Sequence, residues 1–245
     1  MILCIDSGNT RLKWGLREGD AWVARAAAAQ AETAQVRLPH RPQRLVACNV
    51  AGAAGRDAIE ALAHALGLGV EWVSARAQQC GVTSRYDPPS QLGADRWAAL
   101  LGARTLHAGA CVVVMCGTAT TIDALDADGV FRGGLILPGL DLMRGALADA
   151  AADLPAARGE YRDLPRNTFD AIASGAVEAT LGAIERMARR VQAPGEDDSR
   201  RPASADFCCV ISGGAAGAIA PHLSLPHRVV DNLVLEGVAR IAAAL

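Results

Sequence analysis

The sequence predicts an α/β protein in which one arrangement of strands and helices is stated twice. Three observations carry this expectation. Short apolar runs, among them ILCID, RLVACNV, ACVVVM and FCCVISGG, read as buried strands. Stretches with apolar residues at helical spacing, such as RDAIEALAHAL at 56–66, alternate with them. The order of a hairpin, a further strand and then alternating helix and strand starts again near residue 109, where CGTAT at 116–120 echoes DSGNT at 6–10. The expected division is therefore 1–108 and 109–245, each half a mixed sheet with helices on both sides. A cleft between such halves is the natural place for a ligand.

In the first half, ILCID is a strand, SGNT a turn and RLKWGL a returning strand, which together make a hairpin. DAWVARAA at 20–27 adds a third strand, and RLVACNV at 44–50 a buried one. The helix at 56–66 leads to a strand at 69–73, and Pro88 and Pro89 break the chain before a helix over 91–107. In the second half ACVVVM at 110–115, TIDAL at 121–125 and VFRGGLIL at 130–137 are strands, followed by helices over 139–151 and 168–191. The polar, charged, proline-containing segment 192–206 reads as a mobile surface loop. FCCVISGG at 207–214 and HRVVDN at 227–232 are the last strands, and LVLEGVARIAAAL is a terminal helix.

Composition narrows the function classes. The 245 residues are 51% hydrophobic and only 20% charged, which excludes a disordered chain. Lys and Arg number 24 against 26 Asp and Glu, so no basic excess exists for coating nucleic acid. No apolar run approaches the roughly 20 residues of a membrane helix, and the opening MILCI is too short for a signal-peptide core. The seven cysteines match no zinc spacing, and an odd number without a leader argues against a disulfide framework. Cys4, Cys111, Cys208 and Cys209 fall within apolar runs and read as small core residues. A cytoplasmic protein is expected.

Four motifs carry chemistry. Asp6-Ser7-Gly8-Asn9-Thr10, with Lys13 three residues on, ends a buried strand in a turn. A carboxylate there is costly without a partner. Gly8 lets backbone amides face outward, Asn9 and Thr10 add donors, and Lys13 adds charge. The set makes a phosphate cradle in which Asp6 serves a metal ion or its water, although turn chemistry favours the same residues. Cys116-Gly117-Thr118-Ala119-Thr120-Thr121 stands at the matching place in the second half, where Thr118 and Thr120 can reach phosphate oxygens. Ser212-Gly213-Gly214-Ala215-Ala216 is a strand end opening a helix, suited to close backbone approach. Gly93-Ala94-Asp95-Arg96-Trp97 begins a helix. Asp95 there favours the helix dipole and can equally take a proton from a substrate hydroxyl. Arg96 is a fork for a carboxylate or phosphate.

With these residues in view, the chain resembles the type III pantothenate kinases. DSGNTRLK, LGADRW, GTATTID, GGLILPG and SGGAA occur in that family in this order, and the likeness runs from Met1 to the terminal helix. The resemblance implies two duplicated ribonuclease H-like halves of the actin-like ATPase fold. It implies transfer of the ATP γ-phosphate to pantothenate, the first step toward coenzyme A, with Mg²⁺ accompanying ATP. By motif, Asp6, Ser7, Gly8, Asn9, Thr10, Arg11, Leu12 and Lys13 would bind ATP, together with Thr118. Asp95 would be the catalytic base. Tyr86, Gly93, Ala94, Asp95, Arg96 and Thr168, the last in NTFDAIASG, would line the pantothenate site.

One position departs from the family pattern. Many relatives carry an acid at the start of the second turn, where it helps hold a monovalent cation such as K⁺; here the residue is Met115. A thioether is a poor ligand for a hard cation, so K⁺ or NH₄⁺ would need other ligands, such as backbone carbonyls. Asp123 is not an obvious substitute, since a strand residue can face solvent. A homodimer is implied by the resemblance, and the alanine-rich stretch 146–152 could pack against another helix. Two other readings stand beside the kinase: a kinase for another small hydroxylated substrate, and a nucleotide-binding accessory or regulatory protein.

Overall fold

The fold described is that of a computed structural model covering residues 1–29, 32–33, 36–150, 159–192 and 206–245. In chain order the first elements are β1 (Ile2–Ser7), β2 (Arg11–Glu18), β3 (Ala21–Ala29), β4 (Arg44–Asn49), α1 (Gly52–Leu66) and β5 (Val70–Trp72). Then come β6 (Gln78–Gln79), β7 (Val82–Ser84), α2 (Ala94–Leu106), β8 (Ala110–Cys116), β9 (Ala119–Leu125) and β10 (Val130–Pro138). The last are α3 (Leu140–Ala150), α4 (Thr168–Gln192), β11 (Phe207–Ser212), α5 (Ala216–Ile219), β12 (His227–Val229) and α6 (Leu233–Ala244).

Two compact units form. The first holds Met1–Ala108, Gly129–Phe131 and Asn232–Leu245. Its sheet runs β3-β2-β1-β4-β5. β1 pairs antiparallel with β2 and parallel with β4, and it is buried from Leu3 to Ser7, so the strand that reads as an unbroken apolar run is covered on both faces. Alternation along β1 then sorts its side chains. Leu3 and Ile5 join Leu45, Ile59 and Leu62 in a core under α1. Cys4 and Asp6 point to the other face, where Cys48 stands opposite Asp6 in register. Gly67, at φ 70, ends α1 in a left-handed cap whose backbone N–H donates to carbonyls of Ala63 and His64.

The second unit holds Gly109–Asp128 and Arg132–Asp231. Its strands lie in the order β12-β11-β8-β9-β10. β8 is again central, antiparallel to β9 and parallel to β11. Strand for strand this is the plan of the first unit, which is the repetition expected from the sequence. Val112, Val114 and Cys116 of β8 pack with Val177, Leu181 and Ile184 of α4 in its core.

Several boundaries differ from the sequence expectation for local reasons. α1 begins at Gly52, ahead of the expected start at residue 56; the small residues AGAAG hide its first turn from apolar periodicity. α2 begins at Ala94, after a 3-10 turn over Pro89–Gln91. β6 and β7 were not expected, since two- and three-residue strands carry no alternation to read. The last strand stops at Val229, and Asn232, at φ 53, turns the chain into α6. Of the expected loop 192–206, all but its ends lies outside the described residues, as do the last residues of the alanine-rich stretch 146–152.

α2 and α6 cross in the first unit at glycines. A Cβ on Gly237 would collide with the Ala98 carbonyl, and one on Gly102 would lie 2.6 Å from the Leu233 carbonyl. Backbone blocks these approaches, so neither helix can yield by turning a side chain. Gly237→Ala should destabilise the protein by about 2 kcal/mol, although alanine is the better helix former. Gly182→Ala in α4, where nothing lies within 4 Å, should instead gain roughly 0.5–1 kcal/mol. Denaturant unfolding of both variants checks the opposite signs.

Candidate active site

In the first unit the site is built on the end of β1. Asp6 is only 8% exposed. Burial, with a smaller contribution from the nearby negative charge of Asp95, pushes its carboxyl up to about 6, while Lys13 pulls it back. Lys13 faces Asp6 across the hairpin in register. Asn9, Thr10 and Arg11 stand exposed at the tip. Ser7 is buried, its carbonyl accepts the Val50 N–H at 2.9 Å, and α1 passes close by because residue 55 is glycine, where a Cβ would come within 3.0 Å of Ser7 Oγ. Two members of the motif do something other than expected. The Gly8 N–H is turned into the hairpin, donating to the Arg11 carbonyl at 3.1 Å, and does not face outward. The Leu12 side chain is part of the core and anchors the turn.

Asp95 sits in the first turn of α2, half-buried, and its Oδ1 accepts the Arg96 N–H at 2.8 Å. A Cβ on Gly93 would lie 2.6 Å from that Oδ1. The glycine before this helix therefore makes the seat of the carboxylate, and Ala94 adds only a methyl beside it. Cys48 is fully buried, and desolvation with the charges of Asp6 and Asp95 holds its thiol well above the usual range. The thiol is thus a neutral neighbour of two acids.

Arg96 is 6% exposed. Its Nη1 donates to the Tyr86 hydroxyl at 3.3 Å, and its guanidinium lies over the rings of Tyr86 and Phe131 at 5.6 and 6.0 Å. Trp97 Nε1 donates to Gln79 Oε1 at 2.9 Å, so the short β6–β7 ribbon also steadies α2.

In the second unit three motifs converge on the second turn. The Gly139 N–H donates to the Thr118 carbonyl at 2.8 Å, and a Cβ there would strike the Gly117 carbonyl. The Ala215 N–H donates to the Cys116 carbonyl at 3.1 Å. Gly213, at φ 106, passes so close to Cys116 that a Cβ would collide with its backbone. Gly117 and Thr118 are left exposed between them. Met115 faces Thr121 on one side and Ser212 on the other. Asp123, which could have faced solvent, is fully buried.

Thr168 begins α4 in a groove of about 980 Å³ lined by Pro138, Met143, Leu147, Arg166, Asn167 and Ile172 among others. Asn167 caps the helix, its Oδ1 accepting the Asp170 N–H at 2.9 Å and its Nδ2 donating back to Asp170 Oδ2 at 2.8 Å. Sequence reasoning missed Phe131 and gave Gly55 and Gly139 no role of their own. Pro138-Gly139 before a helix was the only local signal for the last. Among the described residues no group of three His, Cys, Asp or Glu could hold a metal on its own, and no helix is long and apolar enough to cross a membrane.

A sheet plan used twice, each copy with a turn after its central strand, defines the actin-like ATPase fold. A Baf family protein of known structure from Campylobacter jejuni shares the fold at a TM-score of 0.65, with 18% identity and 99% and 98% of the two chains covered. The ethanolamine utilization protein EutJ from Carboxydothermus hydrogenoformans does so at 0.53, with 13% identity, over 98% of this chain and 88% of that one. Within that fold the particular family is plain from sequence: the chain belongs to the type III pantothenate kinases. The family model matches residues 2–190. A type III pantothenate kinase of Aromatoleum aromaticum is 51% identical over 99% of this chain and 98% of its own length.

The raised Asp6 carboxyl gives a stability signature. An acid whose folded pKa is about 6 against 3.8 favours the folded state at low pH. It costs stability as pH rises through that window, in full above it. Asp6→Asn should therefore stabilise the ligand-free protein at pH 8 by about 2 kcal/mol, and the gain should shrink as pH falls toward 5. Unfolding titrations at the two pH values measure it, and an equal gain at both would show that Asp6 is not the group responsible.

Proposed function

We propose that the protein transfers the γ-phosphate of ATP to the primary hydroxyl of pantothenate, giving 4′-phosphopantothenate at the start of coenzyme A biosynthesis. Membership of the family supports the reaction. The observation on this chain that carries the reading is Asp95, seated by Gly93 at the head of α2 and close enough to Asp6 for its charge to act on the Asp6 carboxyl.

Phosphoryl transfer asks a protein for alignment and charge management more than for covalent chemistry. Residues Asp6 to Lys13 would bind ATP, with Lys13 and the exposed tip at Asn9, Thr10 and Arg11 meeting phosphate oxygens, and Thr118 would add a hydroxyl. Mg²⁺ fits the carboxylates present, because it takes one or two protein carboxylates together with phosphate oxygens. Asp6 would hold it or its water, and the ion would supply charge neutralisation to the triphosphate. Asp95 would accept the proton of the attacking hydroxyl. Tyr86, Gly93, Ala94 and Arg96 would line the acceptor site, with the Arg96 fork taking the pantothenate carboxylate.

The finer parts of the proposal follow the family pattern. A monovalent cation, K⁺ or NH₄⁺, would have to bind without an acid at position 115. Thr168 would touch pantothenate in a homodimer, where a second copy would cover Leu147, 44% exposed beside the groove, and Phe169, 47% exposed. The duplicated halves would be 1–108 and 109–245, with Gly129–Phe131 and Asn232–Leu245 returning to the first compact unit, and the protein would work in the cytoplasm.

A coupled ATPase assay with product mass, run on purified protein with pantothenate and with a panel of sugars and hydroxy acids, decides the reading. Phosphopantothenate should form, and Asp95→Asn should lower kcat about a hundredfold or more with little change in pantothenate affinity. Lys13→Ala should raise the KM for ATP. Phosphorylation of another acceptor in preference to pantothenate would overturn the substrate, and no transfer at all would favour the accessory protein.

A further inference from the structure

Tyr86 and Arg96 touch directly and share a further neighbour that neither of their motifs contains. Phe131, the second residue of β10, has no exposed surface. Its carbonyl accepts the Arg85 N–H at 3.1 Å, which fixes the backbone one residue before Tyr86. Its ring centroid lies 5.2 Å from that of Tyr86, the planes tilted by 39°, and the Arg96 guanidinium spans both rings. The strand is held in place as well. Val130 and Phe131 pair with Thr83 and Ser84, and the Thr83 N–H donates to the Gly129 carbonyl at 2.9 Å. Gly129, at φ 81, runs so close to the Gly81 carbonyl that a Cβ would collide with it.

A guanidinium recognises a carboxylate through a planar fork, so the angle of its plane matters as much as its charge. Aromatic faces hold a cation by their quadrupole without neutralising it. Phe131 offers such a face and nothing that hydrogen-bonds the fork.

We infer that Phe131 is a positioning residue of the acceptor site: it sets the plane of Arg96 and the ring of Tyr86 for the carboxylate of the acceptor. The inference deepens the proposed reaction and rests on it.

A double-mutant cycle tests it, with Phe131→Leu and Arg96→Lys made singly and together. Arg96→Lys keeps the charge and loses the fork. Phe131→Leu should raise the KM for pantothenate about tenfold while kcat and the KM for ATP hold. In the Arg96→Lys background the same change should add little, because its effect runs through the fork. Additive effects, a shift in the KM for ATP as large as that for pantothenate, or no shift at all would overturn the role. If Phe131→Leu does not fold, Phe131→Met, which fills the space without a ring, carries the same readouts. A wild-type protein that leaves pantothenate untouched would sink the reaction itself. An active wild type with an additive cycle would sink only Phe131.

Discussion

A carboxylate kept at the end of a fully buried strand is the constraint around which the first unit is arranged. Asp6 is 8% exposed, and burial lifts its carboxyl to about 6. Holding that group ionised requires help that hydrophobic packing cannot give. Lys13 supplies part of it from the opposite strand, and it can do so only because a tight hairpin returns β2 alongside β1 in register. Asp95 works against it from the head of α2. Two acids brought near each other, with one lysine, make a poor stabilising arrangement. Strong perturbation of this kind marks functional sites more than structural ones.

The second constraint is the absence of side chains. At Gly93 the missing Cβ makes room for the Asp95 carboxylate, and at Gly139 and Gly213 it lets two other segments close on the backbone of the second turn. The three motifs of the second unit are therefore one construction. The carbonyls of Cys116 and Thr118 are each engaged by an amide from Ala215 or Gly139. That bonding holds the turn rigid while Gly117 and Thr118 remain exposed on it. Gly102 and Gly237 act differently, fixing the crossing of α2 with α6 and so the seat from which Asp95 projects.

How much of this is legible in sequence depends on how local the signal is. The central strands announce themselves as apolar runs because both faces of β1 and β8 are covered, and the turns after them carry recognisable residues. The repeated plan follows from strand order. Asp95 and Arg96 are legible as a helix start, and their resemblance to a known motif adds the role. What stays hidden is long-range. Phe131 lies 35 positions from Arg96 in an unremarkable strand, and nothing in VFRGG tells which ring it meets. The inward Gly8 amide depends on the hairpin's bonding, and the core placement of Leu12 on which face of β2 is covered. Asp123 reads as an amphipathic strand residue, yet its burial is decided by packing far from it in the chain.

Met115 and Asp123 show how strand geometry settles a question that residue counting leaves open. Both project from the same face, since Met115 pairs with Thr121 and Val113 with Asp123. The acid sits two residues deeper than the thioether, a displacement of roughly 7 Å along the strands, and it is fully buried. It cannot reach the position at the mouth of the turn that Met115 occupies. The charge missing there is not recovered from within the strand pair. The second turn then exposes Gly117 and Thr118, while its Gly117 N–H is turned inward to the Ala119 carbonyl at 3.1 Å.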